Sequence, residues 1–241
     1  MAAQEIFALG CPGRKIFMGK EGKHMGKREA GLSAFWDKRA ESYDDEVYQI
    51  YERAYEKTMK RSRPFLQEED TVLEIGCGTG ILTLALADTV KKVTAVDTSA
   101  QMLAAAWEKA EAEGKDNIEF RQGTFDTFPA EEKESYDAIA AYNVLLYLKD
   151  RDKALDKIYD LLKPGGIFLS ATDCLGRNFS QEAIEKFVKS RTGRIPYVAF
   201  ETPVGLMRRI QRHGFLILEI VNLHRNPPNI FITAQKIERK S

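Results

Sequence analysis

Apolar positions follow two different periods along the chain, and the change between them divides it. Over AFWDKRAESYDDEVYQIYERAYEKTMKRSRPFL, residues Phe35, Trp36, Tyr43, Val47, Ile50, Tyr51, Tyr55 and Met59 recur at helical spacing. The stretch reads as two helices separated near Tyr43–Asp45, with Ser33 as an N-cap ahead of the first and Pro64 near the end of the second. From Thr71 on, short β-branched runs alternate with amphipathic stretches. Strands are expected near 71–75, 93–97, 117–122, 136–142, 166–172, 215–223 and 229–236, with helices in most gaps, including one from about Ile81 to Val90 and one from near Ala100. That alternation predicts a mostly parallel sheet covered on both faces. The last two strands are joined only by His224 to Asn229, too short for a crossover, so they must run antiparallel. Residues 1–31, rich in Gly, Lys and Arg and without clear periodicity, read as a flexible basic tail. Residues 32–66 read as a helical lid, and 67–241 as the sheet domain, with an insert at about 174–212 before the sixth strand.

In such a sheet a ligand lies outside the carboxyl ends of the strands, so the residues that follow each strand are the site candidates. The first strand runs into VLEIGCGTG, Val72 to Gly80. Glycines at this turn let the backbone approach a ligand where a Cβ would clash. The next helix points its N-terminal N–H groups the same way. Asp97 closes the second strand, about 20 residues on, where an acid can accept hydrogen bonds from ribose hydroxyls. The order describes a nucleoside cofactor site. Nicotinamide and flavin folds use G-x-G-x-x-G against a pyrophosphate. Here the spacing is G-x-G-x-G, and Glu74 precedes the first glycine. A carboxylate there would repel a pyrophosphate and suits a cationic ligand, an ammonium or a sulfonium.

This pattern resembles the first motif of class I S-adenosylmethionine-dependent methyltransferases. The resemblance continues through TAVDTSAQML, YDAIAAYNVLLYL and LLKPGGIFLSATD in the family's order, over roughly Phe35 to Lys236. It implies a Rossmann-like, doubly wound α/β fold with a seven-stranded, mostly parallel sheet, an antiparallel last strand and an N-terminal helical lid. It implies S-adenosylmethionine as cofactor, S-adenosylhomocysteine as product and methyl transfer to a small molecule. By that resemblance Glu74, Gly76, Cys77, Gly78 and Gly80 face the methionine part, with Cys77 a small filler. Asp97 binds both ribose hydroxyls, and Thr98 beside it belongs to the cofactor-binding set. Met102 is either an adenine contact or a core residue. Many members carry Gly-Asp-Ala after the third strand, where this chain has Gly123-Thr124-Phe125-Asp126. Either Asp126, or the Phe125 backbone with Thr124, then meets the adenine amino group. Asn143 is expected to contact the cofactor's amino-acid part through its backbone. Lys163-Pro164-Gly165-Gly166 is a structural turn. In many relatives the loop after the fourth strand carries a histidine. Here Leu145, Leu146 and Tyr147 occupy it, so it supplies no base.

Methyl transfer is an in-line displacement that mainly needs proximity and alignment. A base matters only where the acceptor must lose a proton. Candidates are Asp173, His224 and Tyr43. For Asp173 the alternative is a cap on the following helix, and for His224 a satisfied loop histidine. Asn226-Pro227-Pro228-Asn229 looks like an amine-methylating motif but stands in the wrong connection and lacks the aromatic, so it reads as a rigid turn. Aromatic residues of the lid (Phe35, Trp36, Tyr43, Tyr48, Tyr51) and aromatic and aliphatic residues of the insert (Phe179, Phe187, Ile195, Tyr197, Phe200, Met207) suit a small, partly apolar acceptor or pack against the sheet. A cofactor-binding sensor or partner protein without methyl transfer is the other class compatible with these motifs.

Composition adds little that is specific. The 241 residues are 44% hydrophobic and 30% charged, enough for a full core. Thirty-six basic and 36 acidic residues balance to zero, which argues against a nucleic-acid partner. Basic runs at 14–28, 57–63 and 208–212 read as solvated faces. Cys11, Cys77 and Cys174 have no metal spacing and suggest free thiols in a reducing compartment, and no metal is expected. No apolar run reaches the ~18 residues of a membrane span. The expectation is a cytoplasmic monomer or homodimer acting on a small molecule.

Overall fold

The computed structural model describes residues 4–6, 16–18, 27–129, 132–176 and 181–239. The chain divides into two compact units. One is Met1–Tyr55 with Leu66–Pro129, and the other is Glu56–Phe65 with Ala130–Ser241.

The first unit holds strands β1 (Gln4–Ile6), β2 (Ile16–Met18), β3 (Thr71–Ile75), β4 (Lys92–Asp97) and β5 (Ile118–Gln122). Their order is β1-β2-β5-β4-β3. The last four are parallel, and β1 runs against β2. Helices α1 (Lys27–Asp37), the start of α2 (Tyr43–Ser62), α3 (Ile81–Ala87) and α4 (Ala100–Ala112) complete it. Strand β3 forms because Val72, Leu73 and Ile75 are all apolar and all buried, the composition of a strand covered on both faces. It ends at a turn that only glycine accepts readily. Gly80 has φ +81°, and a Cβ there would sit 2.9 Å from the Ala106 Cβ on α4.

The expected 1–31 tail lies largely outside the described residues. Within it, the backbone of β1 and β2 is paired and α1 already begins at Lys27. Ser33 is therefore inside α1 and not its N-cap. Its hydroxyl donates to the Thr98 carbonyl, 3.1 Å away. Helix α3 is shorter than the pattern predicts, ending at Ala87 instead of Val90. The Asn117 side chain takes the Ala87 and Val90 carbonyls at 2.8 and 3.0 Å, satisfying acceptors that another turn of helix would have used.

The second unit holds β6 (Tyr136–Tyr142), β7 (Leu162–Asp173), β8 (Phe215–Arg225) and β9 (Pro228–Lys236), in the order β6-β7-β9-β8. Strands β6 and β7 are parallel, and β9 is antiparallel to both neighbours, as its short connection requires. With β3 to β9 this is the seven-stranded, Rossmann-like α/β class with an antiparallel last strand. The β8–β9 turn is tighter than expected, only Asn226 and Pro227, so His224 ends up inside β8. The Lys163–Gly166 segment lies within β7 as an irregularity. Tyr136 pairs with Leu162 and Ala138 with Ile167, so four residues face Asp137 alone. Helices α5 (Arg151–Leu161), α6 (Gln181–Arg191) and α7 (Pro203–Arg212) belong to this unit. Its core includes Ile139, Leu155, Ile158, Phe168 and Phe231, each at most 1% exposed. Truncating one of the aliphatic members to alanine should cost roughly 2–5 kcal/mol.

Candidate functional site

In the first unit the glycine turn is stitched to the end of β4. The Val96 carbonyl accepts from the Gly76 and Cys77 N–H groups at 2.8 and 3.1 Å. Gly76, Gly78 and Gly80 have φ of 70°, 56° and 81°. The Asp97 carboxylate takes the Gly78 N–H on one oxygen and the Ser99 N–H on the other, both at 2.9 Å. Burial pushes the Asp97 carboxyl above its ordinary value. The backbone N–H groups of Ser99 and Gly78 oppose that shift, and the Asp37 charge adds to it. Gly123 N–H donates to the Asp97 carbonyl at 2.9 Å, which brings the turn after β5 to the same place.

Glu74 is 2% exposed. Its carboxyl accepts from the Thr83 hydroxyl of α3 at 2.5 Å. Burial is the largest influence on it and drives its pKa up to about 8, Thr83 pulling down and the Asp97 charge pushing up. The residue read as an anion for a cationic ligand is thus mainly protonated at neutral pH in the ligand-free protein. Cys77 is buried, and burial holds its thiol far above the ordinary range, as befits a filler.

The N-terminal helices close on this loop through two aspartates. Asp37 of α1 accepts from the Ser99 hydroxyl at 2.6 Å and from the Gln101 N–H at 3.2 Å. Ser99 in turn caps α4, accepting from the Met102 N–H at 3.1 Å. Asp44, in the first turn of α2, accepts from the Thr79 hydroxyl and pairs with Lys109, both at 2.5 Å. Next to it, the Tyr43 ring stands against Gly78, where an added Cβ would be 3.9 Å from Tyr43 Cε1. Trp36 meets Tyr43 edge-on with centroids 6.1 Å apart. Burial raises the Tyr43 hydroxyl above its usual value, against a hydrogen bond from Tyr55 that lowers it. Tyr43 therefore stays protonated at neutral pH and offers a donor instead of a base. Asp37, Asp44 and Thr79 escaped the sequence reading. Asp44, in the first turn of α2, looks like an ordinary helix-dipole partner, Asp37 merely closes α1, and their targets are far away along the chain.

The remaining first-unit candidates separate by burial. Met102 is 2% exposed and is a core residue. Thr98 contributes its carbonyl to Ser33. Thr124 accepts from the Thr127 N–H at 3.2 Å and so closes its own turn. Phe125 is buried and stacked on Phe128 at 6.4 Å, while Asp126 is exposed.

The second unit gathers a different set. Asn143, which follows β6, has φ +55°, and its N–H donates to the Ala171 carbonyl at 2.7 Å. Asn229, 2% exposed, donates from one amide nitrogen to Asn143 Oδ1 at 2.7 Å and to Asp173 Oδ1 at 2.8 Å. Asp173, the last residue of β7, also pairs with Lys186 of α6 at 3.5 Å. It does not cap the following helix, because α6 starts only at Gln181. His224 is paired in register with Asn229 on the other side, and its Nδ1 donates to the Pro227 carbonyl at 3.1 Å. Asn143, Asp173 and His224 are thus drawn around Asn229, a residue the sequence offered only as part of a turn. Cys174 is buried, with its thiol pushed up to about 12. Within the insert, Ile195 and Phe200 pack on Leu146, Leu175 and Val198. Tyr51 and Phe179 lie outside the described side chains. Among the described residues no His, Cys, Asp and Glu cluster could hold a metal, and no helix is long and apolar enough to cross a membrane.

Residues 73–170 match the methyltransferase domain family. A ubiquinone biosynthesis O-methyltransferase of Psychrobacter arcticus is 29% identical over 163 residues, covering 65% of this chain and 63% of that protein. The chain thus spans under two thirds of that relative's length. Among solved structures, the DhpI–SAH complex superposes with a TM-score of 0.68 at 24% identity, over 88% of this chain and 98% of that one. A Haloferax volcanii complex with the Trm112 methyltransferase activator gives 0.70 at 19% identity, over 84% and 98%. At these identities the structural likeness speaks for the fold alone.

Proposed function

We propose that this chain, whose residues 73–170 match the methyltransferase domain family, is a class I S-adenosylmethionine-dependent methyltransferase and that it methylates a hydroxyl of a small, partly apolar molecule. The observation that carries the cofactor assignment is Asp97. Each of its oxygens already accepts one backbone N–H, from Gly78 or Ser99. The two oxygens stand side by side at the end of β4 and match two adjacent hydroxyls, which is the demand a ribose makes. The residues present fit this cofactor: the loop offers backbone without Cβ atoms beside that carboxylate. When bound, the cofactor supplies an electrophilic methyl group on a sulfonium. The protein's own residues do the rest. Asp97 orients the ribose, and Asp126, exposed on the neighbouring turn, serves the adenine amino group. Tyr43, latched over Gly78 by Asp44, covers the glycine loop.

On the acceptor side Asp173 is the base we favour. Its carboxylate is fixed by Asn229 and paired with Lys186 at the end of β7, whereas Tyr43 is protonated at neutral pH. The O-methyltransferase relative supports a hydroxyl acceptor. Calorimetric titration with S-adenosylmethionine, S-adenosylhomocysteine and NAD tests the cofactor. Binding of both adenosyl ligands and not NAD is expected. Binding of NAD alone would overturn the reading of the glycine loop.

A further inference from the structure

Helix α6 is turned inside out. Its apolar residues Ile184, Phe187 and Val188 are 51%, 43% and 49% exposed. The positions it turns inward are small or polar. Ala183 packs into the cluster of Leu146, Leu175 and Val198, and the Ser190 hydroxyl accepts from the Val198 N–H at 2.9 Å. Between them, three residues after Ala183 and so on the same face, Lys186 points its ammonium at Asp173. The pair lies at the carboxyl end of β7, the edge of the sheet where this architecture does its chemistry. The Asp173 side chain is 10% exposed and that of Lys186 35%. A partly buried ion pair contributes little net stability, because desolvation offsets the attraction. Two apolar residues would hold α6 here at least as well. The Asp173 carboxylate is held further by Asn229, whose amide nitrogen gives one hydrogen to Asp173 and the other to Asn143. One face of the arrangement is a carboxylate fixed by a buried amide, and the other is a cation on a long stem that can move.

We propose that Lys186 and Asp173 form the polar anchor for an acceptor that reacts as an oxyanion, a phenol-class hydroxyl. This rests on the methyltransferase reading given above. As the acceptor enters, Lys186 leaves Asp173 for the acceptor oxygen. The O–H proton passes to the Asp173 carboxylate, and the electron pair left on the oxygen is held by the Lys186 ammonium. That pair forms the new O–CH3 bond while the S–CH3 bond breaks, its electrons staying on the departing thioether. The proton then leaves Asp173 to solvent, and the ion pair re-forms. Asn229 is a positioning residue, keeping the carboxylate oxygen that faces Lys186 turned to the acceptor.

The test uses the full chain with 3,4-dihydroxybenzoate as acceptor probe and labelled S-adenosylmethionine as donor. In Lys186→Met, kcat/KM for the probe should fall by about tenfold or more, since one charge-assisted contact is lost. Lys186→Arg should recover most of it. Affinity for S-adenosylhomocysteine, measured by calorimetry, should stay within twofold in both variants, which shows that each is folded. Asn229→Leu should lower kcat more than it raises KM. Lys186→Met and Lys186→Arg both within twofold of the wild-type kcat/KM would overturn the proposal. So would a wild-type protein that binds the adenosyl ligands and methylates thiols or amines but not the phenol. Failure of the wild type to bind the adenosyl ligands at all would instead remove the methyltransferase reading beneath it.

Discussion

Glu74 sits one residue from the end of a buried strand, at a position where the strand alone would ask for an apolar side chain. In the folded protein its pKa is about 8, against an ordinary 4.5, with burial the main cause. The sign follows directly. Between those two values the folded state keeps a proton that the unfolded chain has lost, so stability is highest below about 4.5 and declines as pH rises towards 8. At 1.36 kcal/mol per unit, the upper bound on that decline is about 5 kcal/mol. Glu74→Gln keeps the hydrogen bond with Thr83 and removes the titration. Denaturant unfolding of the ligand-free protein should show the wild type losing stability relative to the variant from pH 5 to pH 8. Parallel curves would mean that Glu74 is ionised in the fold. Glu74, the three glycines and Asp97 were legible in the sequence because a strand, a turn and a second strand fix their relation locally. Asn229 was not. Its partners Asp173 and Asn143 are 56 and 86 residues away, and only sheet pairing brings them to it.

Strands β3 to β9 were legible to within a few residues, since each is a short apolar run bounded by turn residues; β1 and β2, three residues each within the stretch read as a tail, were not. Helix ends were less so, because tertiary contacts decide them. Asn117 stops α3, and α1 runs back to Lys27 past the serine read as its cap. The N-terminal segment was legible as two helices, but the contacts that fix it to the loop were not. Asp37 and Asp44 reach 62 and 35 residues along the chain to Ser99 and Thr79. Asp44 fixes the first turn of α2, and with it Tyr43, over the loop that would hold the cofactor. Closure of such a segment excludes water and commits the ligand. Amide exchange across residues 33–50 should therefore slow on addition of S-adenosylmethionine. In Asp44→Ala the same amides should exchange faster without ligand, and cofactor affinity should weaken by about tenfold, the worth of one charge-assisted contact. Exchange across 33–50 that is indifferent to the ligand would show that these helices are a fixed wall and not a lid.

For the molecule as a whole, charge balance sets the background against which a ligand acts. Within two of the basic runs, Arg61 pairs with Glu219, and Arg209 with Asp152 and Glu201. What remains to move the stability of the chain selectively is ligand binding to the folded state. At a concentration 100-fold above Kd, such a ligand stabilises by about 2.7 kcal/mol. For a chain of this size that is roughly 5–10 °C in Tm. S-adenosylhomocysteine should produce a shift of that order, and NAD none. In Asp97→Ala the two ribose hydroxyls lose their acceptor, at about 1–3 kcal/mol. The same ligand concentration should then give a much smaller shift. The comparison has to be made between shifts and not between melting temperatures. Removing Asp97 also strips the Gly78 and Ser99 N–H groups of their acceptor and lowers the ligand-free Tm by itself. A full shift retained in Asp97→Ala would place the ribose elsewhere, and with it every cofactor contact argued from this loop.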